Sequence, residues 1–270
     1  MSDDDRLHGW GDRDVVGFYT ASGTLDAGEA AAFRAAATSI DGGRILDLGI
    51  GTGRTSELLA PRASTYIGVD IAAEMLRAAH RRLPHLDLRV ADARDLSAVC
   101  ADASIDVVVF SYNGLDALSH SGRIAALREA RRVLAHGGRF ILSSLNQRGV
   151  SCGEVPWRPR TPAGIRVPLV SAARGWLGAL RHAPTTLRGL ANYYRFRGLQ
   201  TDGDGWTRRL MRAHEFRFVV YYSPPEVTLA LLERHGFCLE AAWANDGTSL
   251  TRGELADCHA DSVYFLVRAA

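Results

Sequence analysis

The stretch ILDLGIGTGRT, residues 45–55, sets Gly49, Gly51 and Gly53 at alternate positions behind an apolar run. In a strand–turn–helix unit the first glycine lets the chain leave the strand, and the second lets a ligand approach the backbone. The third lets the helix pack closely, and the N–H groups at its start then face the ligand. The spacing is GxGxG, not the GxGxxG of dinucleotide folds, and a turn without a ligand is the structural alternative for the triplet taken alone. Asp70 follows in YIGVDI, 17 residues after Gly53. A carboxylate there can accept two hydrogen bonds from the vicinal hydroxyls of a ribose, or it can cap the helix that begins at Ala72. Asp92, in VADARDL, falls where an adenine amino group would lie, flanked by Ala93 and Arg94. Its alternative is a solvated turn. FSYNGLD then supplies Ser111, Tyr112 and Asn113.

These residues need strands to deliver them, and the chain alternates β-branched runs with stripes at helical period. Strands are expected at 44–49, 64–70, 86–92, 104–112 and 139–145. Helices are expected at 54–62, 72–83 and 122–138, the last stopped by HGG in a left-handed turn. In the second helix Met75, Leu76, Ala79 and Leu83 form one face. The close spacing of strand starts predicts an α/β fold with a Rossmann-like, doubly wound, mostly parallel seven-stranded sheet and helices on both faces. Helix 224–236 and strands 237–243 and 262–269 complete it, the last two able to pair antiparallel. A helix over 27–40 lies across the strand ends. Residues 147–223 break the rhythm. They place Trp176, Leu177 and Leu180, then Leu187, Leu190 and Tyr194, at helical spacing, and Phe216, Phe218, Val220 and Tyr222 on one face of a strand over 215–222. Such an insertion at the carboxyl edge is expected to cover the site as a lid. The whole reads as one domain, 1–270, with residues 1–40 as a helical cap and 147–223 as an inserted lid.

Glycine loop, ribose acid, adenine acid and FSYNGLD come at four consecutive strand ends, and in that order the chain resembles the class I S-adenosylmethionine-dependent methyltransferases. The match covers residues 44–145 well and 224–268 in outline. The resemblance implies S-adenosyl-L-methionine as cofactor and S-adenosyl-L-homocysteine as product. It puts Asp47, Gly49, Gly51 and Gly53 around the methionine part, Asp70 with Ile71 and Met75 at the ribose, and Asp92, Ala93 and Arg94 at the adenine. Ser111, Tyr112 and Asn113 would line the sulfonium, and Tyr19, in GFYTASG, would close over the cofactor. RRVLAHGGRFILS stands where the family has LkpGG, with Ala135-His136 replacing lysine-proline. The fourth strand lacks the Asn-Pro-Pro-Tyr sequence that orients planar amines and amides, which counts against methylation of DNA adenine.

The methyl group comes with the cofactor, so the protein must align a nucleophile with the S–CH3 bond and exclude water. An alcohol or ammonium acceptor also needs a base. His120 and His214 are the candidates near the mouth, each with a structural alternative. Of 270 residues, 47% are apolar and 23% charged, and there is no lysine. The four cysteines are scattered and suggest ordinary thiols in the cytoplasm, with no metal site. No run is long and apolar enough to span a membrane. Residues 151–218 hold 12 arginines against Glu154, Asp202, Asp204 and Glu215. That patch reads as a solvated face, as Arg forks for an anionic small molecule, or as an RNA surface. The acceptor expected is a small-molecule metabolite, in secondary metabolism, methylated on O or N; nucleic acid comes last, and no oligomeric state is legible. A nicotinamide oxidoreductase with a Tyr-x-x-x-Lys pair is excluded by the missing lysine, whereas a non-catalytic cofactor-binding scaffold stays open.

Overall fold

Residues 45–48 of β1 (Arg44–Leu48) are all buried, and the rest of the sheet is laid on either side of them. A computed structural model describes residues 8–21, 23–158 and 186–270. To one side of β1 lie β2 (Thr65–Asp70) and β3 (Asp87–Val90); to the other lie β4 (Ile105–Phe110) and β5 (Leu134–Leu145), and all five are parallel. Beyond β5, β11 (Ser262–Ala269) runs antiparallel to it, followed by β9 (Phe237–Ala244) and the two-residue β10 (Ser249–Leu250). The order is β10-β9-β11-β5-β4-β1-β2-β3. The expected seven strands are therefore present, with β10 added as an edge strand in the turn-rich stretch before β11. Because the order reverses between β1 and β4, a crevice opens at their carboxyl ends, where doubly wound sheets bind ligands.

Side chains alternate across the sheet with the two-residue period of a strand. Leu46, Val108, Phe140 and Phe265 join one core cluster, and Ile45, Val107, Ile141 and Tyr264 the other. The first is covered by α6 (His120–Val133) and α8 (Pro225–Arg234), which contribute Leu127 and Leu229. The second is covered by α2 (Ala27–Ala35), α3 (Ala37–Ile40) and α4 (Ser56–Leu59), which contribute Phe33, Ile40 and Leu59. Along α5 (Ala73–Arg82) and its C-cap, Met75, Leu76, Ala79 and Leu83 are buried as the spacing predicts.

Four local expectations need correction. The helix expected to run to HGG ends at Val133, because Leu134 turns extended and pairs with Ile105. The next pairing is Val107 with Arg139, so residues 135–138 form a bulge, with Gly137 at φ 75°. The helix over 27–40 breaks at Ala36 into α2 and α3. The one over 54–62 shrinks to α4 and a 3-10 turn containing Pro61. The strand over 215–222 is only β8 (Val219–Tyr222); Glu215 and Phe216, at φ 52° and 57°, reverse the chain after β7 (Trp206–Leu210). With β6 (Thr201–Gly203) these make a separate antiparallel sheet. Trp176, Leu177 and Leu180 lie outside the described residues, while Leu187, Leu190 and Tyr194 lie on a helix, α7, described over 186–196. Among the described residues no helix is long and apolar enough to cross a membrane.

Candidate active site

A cavity of about 430 Å³ occupies the crevice at the ends of β1 and β4. Its first wall is the glycine turn. Gly49 leaves β1 at φ 64°, and a Cβ there would meet the Phe110 ring at 2.9 Å. Gly51 sits at φ 56° with open space where a Cβ would point. It lines the cavity, so the missing side chain leaves backbone accessible to a ligand. Gly53 does not line the cavity. A Cβ on it would stand 3.0 Å from Leu83 Cδ1, so its task is to let the turn pack against the end of α5.

Two buried carboxylates flank the turn. Asp47 is 1% exposed; Thr55 and Tyr66 donate to its Oδ2 at 2.7 and 2.8 Å. Burial pushes its carboxyl up to about 6, against the pull of those two hydrogen bonds. Asp70, the last residue of β2, accepts from the backbone N–H groups of Gly51 and Ala72, both at 2.8 Å. Burial raises this carboxyl too. Both of its oxygens are thus fixed toward the cavity, and each keeps lone-pair capacity for a ligand hydroxyl. The bond to Ala72 ties the carboxylate to the residue that precedes α5.

Ile71, Met75, Asp92 and Ala93 continue the wall. Arg94 does not reach the cavity. Its backbone N–H and its guanidinium hold the Asp92 carboxylate, with the Nε at 2.8 Å from Oδ2. Beyond β4, Ser111, Tyr112 and Asn113 line the crevice. Tyr112 and Asn113 are in the left-handed region at φ 53° and 61°, costly for a tyrosine and kept only where the surroundings impose it. The Asn113 side-chain oxygen is buried and has no hydrogen-bond partner among the described residues.

What holds this segment was not legible in the sequence. Glu29 of α2 is wholly buried and takes both guanidinium nitrogens of Arg54, at 2.6 and 2.7 Å. It also accepts the Ser111 hydroxyl, while the Arg54 guanidinium lies 4.7 Å from the centre of the Tyr112 ring. Arg54 could have been suspected, as it follows Gly53 directly; nothing marks Glu29. Further along, Asp116 and Arg123 form an ion pair with both side chains fully buried. Asp116 also accepts from Ser144 Oγ at 2.9 Å and from the backbone of Leu145 at 2.6 Å.

The other half of the cavity is lined by Leu145, Ser151 and Glu154, then by Met211, Val220 and Tyr222. Tyr19 and His214 meet there, with the tyrosine oxygen 3.2 Å from His214 Nε2. Trp10, Phe18 and Phe218 stand edge-on to that imidazole. Burial lowers His214 to about 4 and raises the Tyr19 hydroxyl, so both are neutral near pH 7. His120 is not in the cavity. It is stacked on Trp206 at 5.0 Å and bonds the Tyr221 hydroxyl at 3.1 Å. The basic side chains described in the 151–218 segment are largely engaged within the chain. Arg209 pairs with Asp202, Arg212 with Glu154, and Arg217 with Asp12 and Asp14.

Residues 45–138 match a protein family described as "Methyltransferase domain". The chain is 32% identical over 108 residues to a demethylmenaquinone methyltransferase of Renibacterium salmoninarum, covering 40% of this chain and 44% of that protein. It thus spans less than half the length of that relative, and the match lies on one part of the molecule. Two solved structures share the architecture more fully. An S-adenosylmethionine-dependent methyltransferase of Mesorhizobium loti is similar with a TM-score of 0.57 at 21% identity, over 90% of this chain and 97% of that one. The CcbJ methyltransferase of Streptomyces caelestis has a TM-score of 0.61 at 17% identity, over 98% and 99%. At such identities the likeness is one of fold. The family match falls on the strands that carry the glycine turn, Asp70 and Asp92.

Proposed function

We propose that this chain transfers a methyl group from S-adenosyl-L-methionine to an oxygen or nitrogen atom of a small-molecule metabolite. The observation that carries the reading is a single cavity that joins the glycine turn and two strand-end aspartates to side chains of the 211–222 segment. The cofactor supplies a methyl group already activated on a cationic sulfur. In this reading Asp70 accepts from the ribose hydroxyls and Asp92 from the adenine amino group, with Ile71, Met75 and Ala93 as apolar walls. Asp47, near the open backbone at Gly51, faces the amino-acid end. Ser111, Tyr112 and Asn113 floor the reacting centre, and Tyr19, held by His214, closes the site against water.

The acceptor enters on the side of residues 145–154 and 211–222, which act as a substrate lid on one domain capped by the described residues 8–21 and 23–40. Four cysteines without disulfides support a cytoplasmic setting. Secondary metabolism is the setting we favour, because the acceptor half is built from the segment that follows no βα rhythm. The intramolecular ion pairs of Arg209, Arg212 and Arg217 weigh against an RNA surface there.

Calorimetric titration with S-adenosylmethionine, S-adenosylhomocysteine and NAD tests this on the wild type and on Asp70→Ala. Both sulfur compounds should bind and NAD should not. The substitution removes charge-assisted hydrogen bonds of about 1.5–3 kcal/mol, roughly a 10- to 100-fold loss of affinity. Binding of NAD alone would defeat the proposal. Binding without turnover on any acceptor would favour the scaffold reading instead.

A further inference from the structure

The cavity's polar groups select a kind of acceptor, and we infer that it is a small amine, bound as its cation beside Asp26 and Asp261 and methylated on nitrogen. This rests on the methyltransferase reading above. Of the carboxylates in the cavity, Asp47, Asp70 and Asp92 belong to the cofactor half. Asp26, Glu154 and Asp261 remain for the acceptor. Two arginines line the same space, and each is already compensated. Arg54 gives both terminal nitrogens to Glu29 and one of them also to the carbonyl of Thr24. Arg212 faces Glu154 and donates to the carbonyls of Val155 and Arg158.

Asp26 and Asp261 have neutral donors instead. The Tyr264 hydroxyl donates to Asp26 at 2.8 Å, and the Ser151 backbone N–H donates to Asp261 at 2.8 Å. Among the described residues neither carboxylate forms an ion pair within 4.0 Å. Each therefore keeps lone pairs for a further donor. An independent feature points the same way. The buried oxygen of Asn113, on the floor of the reacting centre, has no donor among the described residues. A buried acceptor of this kind leaves a place for one further N–H or O–H donor.

The alternatives fit less well. An anionic acceptor would meet two uncompensated carboxylates and find both arginines occupied. A hydroxyl acceptor needs a base poised near neutral pH, but His214 is engaged by Tyr19 and sits in an aromatic surround that disfavours its charged form. An amine needs less help. The bound ammonium gives one proton to a carboxylate and on to water. The freed lone pair then takes the methyl carbon in line, while the S–CH3 bonding pair stays on sulfur. The product is an N-methylammonium, with one proton released.

Three probes of matched size, benzylamine, benzyl alcohol and benzoate, test this by calorimetric titration into protein saturated with S-adenosylhomocysteine at pH 7.5. Benzylamine, a cation at that pH, should bind about tenfold or more tighter than either other probe, the equivalent of at least one ion pair. Asp26→Asn and Asp261→Asn, both isosteric, should each narrow that preference severalfold. Equal or tighter binding of benzoate or benzyl alcohol overturns the inference. So does no binding of benzylamine, or a preference that both variants retain in full. The preceding titration with S-adenosylhomocysteine reports on the cofactor half separately. Its failure would count against the methyltransferase reading, and a normal value with the wrong probe order against the amine alone.

Discussion

The buried pair Asp116–Arg123 can be broken from either side, and the two breaks should differ in a way that pH exposes. Both side chains are fully buried, and the guanidinium also lies 4.2 Å from the centre of the Tyr221 ring. Removing one partner of such a pair costs about 3–5 kcal/mol, because it leaves a charge without compensation. Arg123→Met strands a carboxylate, which can escape by taking a proton. Asp116→Asn strands a guanidinium, which cannot lose one. In the wild type, burial already pushes Asp116 up to about 6 against the pull of Arg123. Without the arginine that pull is gone and its folded pKa rises further, while the unfolded value stays near ~3.9. The folded variant then holds a proton that its unfolded chain lacks, so its stability rises as pH falls, by about 1.4 kcal/mol per unit. The wild type gains that slope only below about 6. The penalty of Arg123→Met relative to wild type should therefore shrink between pH 7.5 and 6, by at most about 2 kcal/mol, and level off below. The penalty of Asp116→Asn should hold steady to pH 6 and grow beneath it. Urea unfolding followed by circular dichroism at pH 7.5, 6 and 5 measures both. A penalty for Arg123→Met that stays flat from pH 7.5 to 6 would refute the assignment of Asp116 as the stranded group.

Two further outcomes follow from the cofactor half. Asp47 titrates near 6, and its charged form is the one that attracts an ammonium. Affinity for S-adenosylhomocysteine should fall as pH drops below about 6, by up to about tenfold per unit, and Asp47→Asn should flatten the profile. A wild-type affinity constant from pH 8 to 5 would remove Asp47 from the amino-acid end. The glycines should also separate by role. Gly51→Ala carries a left-handed penalty of about 1–2 kcal/mol and places a methyl group in the cavity, so it should weaken cofactor binding at least tenfold. Gly53→Ala carries the same backbone penalty and also presses on Leu83, so its larger effect should be on the melting temperature. Equal binding losses in the two variants would contradict that division.

The features legible in the sequence share one property, a position fixed by the strand that carries it. Asp70 closes β2, and the residues that follow it stay near the crevice whatever the side chains do elsewhere. Asp92, two residues past β3, is located in the same way, and so are Ser111, Tyr112 and Asn113 after β4. Strands announce themselves by apolar runs such as VVVF at 107–110, with Val107, Val108 and Val109 wholly buried. The charged groups that brace the site announce nothing. Arg123 stands in SGRIAAL on a helix whose apolar residues suggest its buried side, and an arginine just ahead of Ile124 reads as solvent-facing, yet Arg123 is buried and Ile124 is not. The arginine is buried because Asp116, seven residues earlier, is folded under the same sheet edge by the turn at 114–117. Glu29 reads as one acid in an alanine-rich helix, and only the approach of Arg54 and Ser111 makes its burial tolerable. Pairs of this kind depend on two segments meeting in space, and no period within either segment encodes the meeting. The acceptor half shows the same limit. The expectation that residues 147–223 cover the site rested on their failure to alternate, which locates a segment but says nothing of its polarity. The sequence left the arginines open as a solvated face, as forks for an anion or as an RNA surface. Folding turns Arg212 onto Glu154 and Arg217 onto Asp12 and Asp14, and among the described residues Asp26 and Asp261 are the carboxylates of the acceptor half without an ion pair. Net charge along the sequence is therefore a poor guide to the sign of a pocket when most of its cations have partners before a ligand arrives.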